Sequence, residues 1–120
     1  MDNDSIADLF ASLGHVTIRR MFGGKGIYRD GLIFALEVDG DILLKADAVS
    51  APELAAAGSR QWVYEGGMRK GPVAMPYWTI PDSAIDDPEE MAVWARRAFE
   101  AALRSAQADG KKKPARGKKA

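Results

Sequence analysis

The chain has 120 residues, 47% hydrophobic and 28% charged, which suits one soluble domain able to bury a core without staples; with no cysteine, disulfides, thiol nucleophiles and cysteine-based zinc sites are excluded together. Seventeen Lys and Arg balance seventeen Asp and Glu, but residues 109–120 hold six of the cations and one acid, which leaves residues 1–108 at −5. That acidic body with a basic tail is not the pattern of a dedicated DNA-binding domain, and the absence of any eighteen-residue apolar run or basic, apolar leader makes the cytoplasm the expected location.

In chain order, a first helix is expected from about Ser5 to Leu13, capped by Asp4. Its apolar stripe is Ile6, Leu9, Phe10 and Leu13, and Gly14 is placed to end it. Val16–Phe22 reads as an entering strand. Met21–Ala46 follows as a meander of three short strands. Asp30-Gly31 and Asp39-Gly40 each sit between apolar runs, and Asp-Gly suits a two-residue turn with positive φ at both central positions. Two-residue turns would set Tyr28 opposite Ile33, Ile27 opposite Phe34, and Ala35 opposite Leu44. One face of the sheet then carries Ile27, Leu32, Phe34, Leu36, Val38 and Leu43. The other carries Tyr28, Ile33, Ala35, Ile42 and Leu44. A sheet with one wet face alternates apolar and polar residues. Here both faces are apolar, so the second is either covered or meets another subunit.

Ser50-Ala51-Pro52-Glu53 has the form of a capping box opening a short helix to about Ala57. Gln61–Glu65 and Val73–Ile80 read as two more strands, with Pro76 marking an edge or a bulge. Asp87-Pro88-Glu89-Glu90 then starts the longest helix, to about Gln107. Its stripe is Met91, Trp94, Ala95, Ala98, Phe99, Ala102, Leu103 and Ala106, and Glu100 is spaced to pair with Arg104. The order is helix, three or four strands, short helix, two strands, long helix. This predicts an α+β fold with an antiparallel sheet of five or six strands over residues 1–108, and a disordered basic tail over 109–120.

Residues of chemical interest are few. Gly23-Gly24-Lys25-Gly26 leads into a strand, not a helix, so neither a Walker nor a Rossmann phosphate loop is available. Gly23, Gly24 and Gly26 are better read as a bend or bulge, structural like Asp30, Gly31, Asp39 and Gly40. His15 is the single histidine and has no nitrogen or sulfur partner for a ligand set or a nucleophile–base pair. Asp82, Asp86, Asp87, Glu89 and Glu90 read as helix caps and dipole complements in preference to a magnesium site. Lys45 shares the face of Phe34 in the simple register. No catalytic residue, metal site or cofactor is expected. Arg69 and Lys70 lie on a glycine-flanked loop where they could meet phosphate or an acidic partner, or stand as a solvated hairpin tip. Lys111, Lys112, Lys113, Arg116, Lys118 and Lys119 could meet phosphates, with a log K against log salt slope of roughly −5 if all six did so.

Met21-Phe22-Gly23-Gly24-Lys25-Gly26-Ile27-Tyr28-Arg29-Asp30-Gly31, then Phe34-Ala35-Leu36 and Leu44-Lys45-Ala46-Asp47, resembles the N-terminal domain of the TfoX/Sxy family. Met75-Pro76-Tyr77-Trp78, Ile80-Pro81-Asp82, and Asp87-Pro88-Glu89-Glu90 leading to Trp94-Ala95 continue the resemblance, which covers roughly residues 4–106. Proteins of this family regulate competence for DNA transformation. The resemblance implies a secretion-chaperone-like α+β fold and carries no catalytic residues. Full-length members have a second, helical domain, whereas here a basic tail follows, so a stand-alone N-terminal-type domain is implied. The expected function is that of a non-enzymatic regulatory module linked to transcription. It would contact a protein partner and form a homodimer through Tyr28, Ile33, Ala35, Ile42 and Leu44, with Arg69 and Lys70. The alternative is non-specific nucleic-acid binding through the tail.

Overall fold

The computed structural model describes residues 1–21, 23–65 and 71–117, with 110–117 described as backbone path alone. The elements are α1 (Asn3–Leu9), a 3-10 turn (Ala11–Leu13), β1 (Thr17–Met21), β2 (Gly24–Arg29), β3 (Leu32–Val38), β4 (Asp41–Lys45), α2 (Ala51–Ala56), β5 (Gln61–Tyr64), β6 (Val73–Thr79), α3 (Asp82–Ile85) and α4 (Pro88–Gly117). The six strands form one antiparallel sheet in the order β1-β2-β3-β4-β6-β5, as the α+β reading predicts.

Both Asp-Gly corners are left-handed at both positions, with φ of 52° and 79° at Asp30-Gly31 and 53° and 88° at Asp39-Gly40. They set the expected register next to each turn: Arg29 faces Leu32, Tyr28 faces Ile33, and Leu36 faces Leu43. Between Ile27 and Tyr28 the ladder slips. Ile27 pairs with Ala35 instead of Phe34, so Phe34 is an extra residue in β3. A bulge of this kind reverses the facing of every side chain beyond it. Phe34 and Ala35 therefore both point to the helices, joined there by Ile42 and Leu44, while Leu36 and Leu43 point away.

All the helices contribute to one core on that first face. Ile6 and Phe10, Leu13, Leu54, Ala84, and the α4 residues Met91, Trp94, Ala95, Ala98, Phe99 and Ala102 pack on Ile27, Phe34, Ala35, Ile42 and Leu44. Phe34 is the hub, with its ring edge-on to Phe10 at 5.0 Å and to Phe99 at 6.2 Å. Within α4, Ala101 is buried and Leu103 exposed, which narrows the expected stripe. The α4 backbone is helical past Gln107 to Gly117, across Gly110 and Pro114, where no apolar stripe remains.

Several local expectations change. Asp2, not Asp4, caps α1, accepting from the Ser5 amide at 2.8 Å, and the helix tightens into the 3-10 turn before Leu13. Asp87 does cap α4, accepting from the Glu89 and Glu90 amides at 3.1 and 3.2 Å. Glu90 then accepts from Ser83 Oγ (2.6 Å) and Trp94 Nε1 (3.1 Å), tying α3, which the sequence reading missed, to α4. Pro76 lies opposite an irregularity in the β5–β6 ladder between Gln61 and Val63, the bulge alternative; the side chain of Gln61 donates to the Met75 carbonyl there.

The capping box at Ser50 does not form, and Asp47 takes its place. Asp47 Oδ1 accepts from the amides of Val49 (3.1 Å) and Ser50 (3.0 Å). The same carboxylate receives Arg104 Nε at 2.6 Å and Nη2 at 3.1 Å, so Arg104 pairs across to the β4–α2 loop and not with Glu100. The Arg104 guanidinium, with the backbone amides of Ser50 and Val49, outweighs burial and holds the Asp47 carboxyl at about 2. A lowered carboxylate pKa adds stability that is complete above the unfolded value of 3.8 and fades as pH falls through about 2. Asp47→Asn should therefore cost about 1–2 kcal/mol at neutral pH, a figure reduced because Arg104 is 38% exposed, and flatten the acid limb of stability between pH 4 and 2. Urea unfolding at pH 7, 4 and 2.5 checks both.

Candidate functional site

Among the described residues no helix packs on the centre of the second face of the sheet. Leu36, Leu43 and Tyr77 form its centre, each under a tenth exposed, with Ile33, Val38, Trp62 and Met75 packed around them. These side chains hide one another, which is how a face without a covering layer still buries three residues. Gly26 makes room at the β1 side. A Cβ there would lie 3.0–3.1 Å from the tips of Tyr28, Ile33 and Met21, which close over the bare backbone. The opposite rim, where Trp62 meets Tyr64 edge-on at 5.9 Å, carries exposed apolar side chains at Tyr64 and Val73.

Cations stand on aromatic rings within this surface. Arg19 lies 5.5 Å from the centre of the Tyr28 ring and Lys45 Nζ 5.4 Å from that of Tyr77. Lys45 is thus on the uncovered face with Leu36 and Leu43, and it is Phe34 that the bulge turns away to the helices. Burial, and after it the neighbouring Tyr28, pushes the Tyr77 hydroxyl up, so it stays a neutral donor across the physiological range.

Of the residues expected to make an interaction surface, Tyr28 and Ile33 are on this face. Ala35, Ile42 and Leu44 are not: they are buried against the helices by the same one-residue slip. Leu36, Val38, Leu43, Met75 and Tyr77 replace them. The register shift was the missing information, and the lone Gly26 opposite Leu36 was the available sign of irregularity. Arg69, Lys70, Lys118 and Lys119 lie outside the described residues, as do the side chains of Lys111, Lys112, Lys113 and Arg116.

The structural glycines have their expected backbone role most clearly at Gly24, where a Cβ would run into the Glu37 carbonyl. Lys25 is engaged, donating to the Met1 carbonyl and Asn3 Oδ1 at 2.9 Å each. Asp87 and Glu90 serve as cap and helix tie. Among the described residues no group of three His, Cys, Asp or Glu side chains is placed to hold a metal ion. No helix among them is long and apolar enough to cross a membrane.

No curated protein matches the chain. The family model described as TfoX N-terminal domain matches residues 8–102, a span that runs from α1 through the sheet to the middle of α4 and takes in the whole uncovered face. With most of the chain matched and the α+β order in place, the protein belongs to the TfoX N-terminal domain family.

Proposed function

We propose that this domain is a non-enzymatic regulatory module of the cytoplasm, which acts in transcriptional control by docking a protein partner on the uncovered sheet face. One observation carries the reading: a strand-borne apolar cluster, with Leu36, Leu43 and Tyr77 buried beneath half-buried Ile33, Val38, Trp62 and Met75, on which no helix packs among the described residues. An apolar sheet face left without a covering layer and edged by polar groups is the kind of surface on which a partner docks. Arg19 and Lys45 give the partner its chemistry, which is an apolar segment flanked by carboxylates. Membership of a family of competence regulators supports the link to transcription.

Affinity capture from nuclease-treated extract tests it. The intact chain and a form lacking residues 109–120 should retain the same partner, and Ile33→Asp should lose it at least tenfold while keeping its unfolding midpoint within a few degrees. Capture that survives Ile33→Asp, or that vanishes with nuclease or with residues 109–120, would overturn this assignment in favour of nucleic-acid binding through the basic segment.

A further inference from the structure

The sheet has two open edges, and they differ in kind. β1 carries Arg19 and Arg20, charges of the sort that keep an edge strand from pairing. β5 reads Gln-Trp-Val-Tyr, without charge or proline, in side chains that favour an extended, pleated backbone. Apolar groups stand out on both sides of it: Val63 is 43% exposed, Tyr64 45%, and Val73, across the ladder from Tyr64, 51%. Among the described residues β5 is paired with β6 alone, so no described strand lies beside the backbone groups on its outer side. An added strand would satisfy them.

The flanking charges identify the occupant. Arg60 immediately precedes the strand and Glu65 immediately follows it, both exposed. Two copies of this edge laid antiparallel bring the Arg60 end of each beside the Glu65 end of the other, at both ends of the junction. A parallel arrangement would set like charges together. We infer that a second copy of this chain adds antiparallel to the β5 edge, about a two-fold axis perpendicular to the sheet. Such an axis keeps the helices of both copies on one side and joins the two uncovered faces into a single surface. Self-association then uses the edge of the sheet, leaving the face to the partner, and it does not depend on the docking assignment above. A four-residue edge with its flanks falls below the ~1,000 Å² of a permanent interface, so the dimer is weak and reversible.

Sedimentation of the full chain from about 10 to about 500 µM should show a monomer–dimer equilibrium. Arg60→Glu sets acid against acid at both ends and should weaken the dimer about tenfold. Adding Glu65→Arg restores the pairing and should bring the affinity back to within about threefold. Met21→Lys, on the far side of the uncovered face, should leave it unchanged. Amide exchange provides a reading without any substitution, with protection over Gln61–Tyr64 rising with concentration. A strict monomer, a dimer indifferent to Arg60→Glu or not rescued by the double reversal, a dimer broken by Met21→Lys, or exchange at β5 independent of concentration would overturn the inference. Partner capture is read through Ile33→Asp instead, so either assignment can fail alone.

Discussion

Phe34→Ala should lower the stability of the domain by about 3–5 kcal/mol, a large share of what a domain of this size has to lose. The side chain is fully buried and meets Phe10, which ends α1, and Phe99 from α4 edge-on, so its removal breaks packing between the sheet and two helical segments at once. The effect should exceed simple methylene loss because Phe34 is the residue that β3 inserts beyond its pairing with β2. With the ring gone, nothing anchors the extra residue in the core, and the strand can slide towards the unbulged register. Urea unfolding gives the stability change. A loss below about 1.5 kcal/mol would mean that the neighbouring rings collapse into the space and that the bulge does not depend on its aromatic anchor.

Gly24→Val should cost at least about 3 kcal/mol, while Gly26→Ala should cost no more than about 1.5 kcal/mol. Both glycines lie in β2, and what would meet a new Cβ differs. At Gly24 the obstacle is the carbonyl of Glu37 in the neighbouring strand, held by the ladder and by Glu37 itself. Glu37 is buried, accepts from the Gly40 amide at 2.7 Å and faces the amino terminus at 3.4 Å. It cannot give way without opening the end of the hairpin. At Gly26 the obstacles are the ends of Tyr28, Ile33 and Met21, which can rotate towards solvent. Thermal unfolding of the two variants side by side separates these cases. Equal costs would show that the β2–β3 spacing at Gly24 is less constrained than the backbone contact implies.

How much of this could be read from the residues follows from the range of each interaction. The Asp-Gly corners, the Asp87 cap and the α4 stripe from Met91 to Ala102 are encoded within four or five positions, and they formed where the sequence placed them. The uncovered apolar face was legible as an excess, because more apolar residues alternate through β2–β4 than a single buried face can use. Which residues occupy it was not legible. That depends on one inserted residue at Phe34, chosen by packing against Phe10 and Phe99, far away in the chain. Arg104 shows the same limit: spacing along the helix offered Glu100, and the fold supplied Asp47, a better partner because two hydrogen bonds reach one carboxylate. Ser50 lost its cap role to that same carboxylate.

The stacked cations of the uncovered face bear on the kinetics of whatever binds there. Arg19 and Lys45 already lie over the rings of Tyr28 and Tyr77 before any visitor arrives, which spares part of the rotamer freedom otherwise lost on contact. On a body that is otherwise acidic they form a local positive field. An approaching acidic segment would be steered towards that spot and repelled elsewhere, so added salt should slow its arrival while scarcely altering how long it stays.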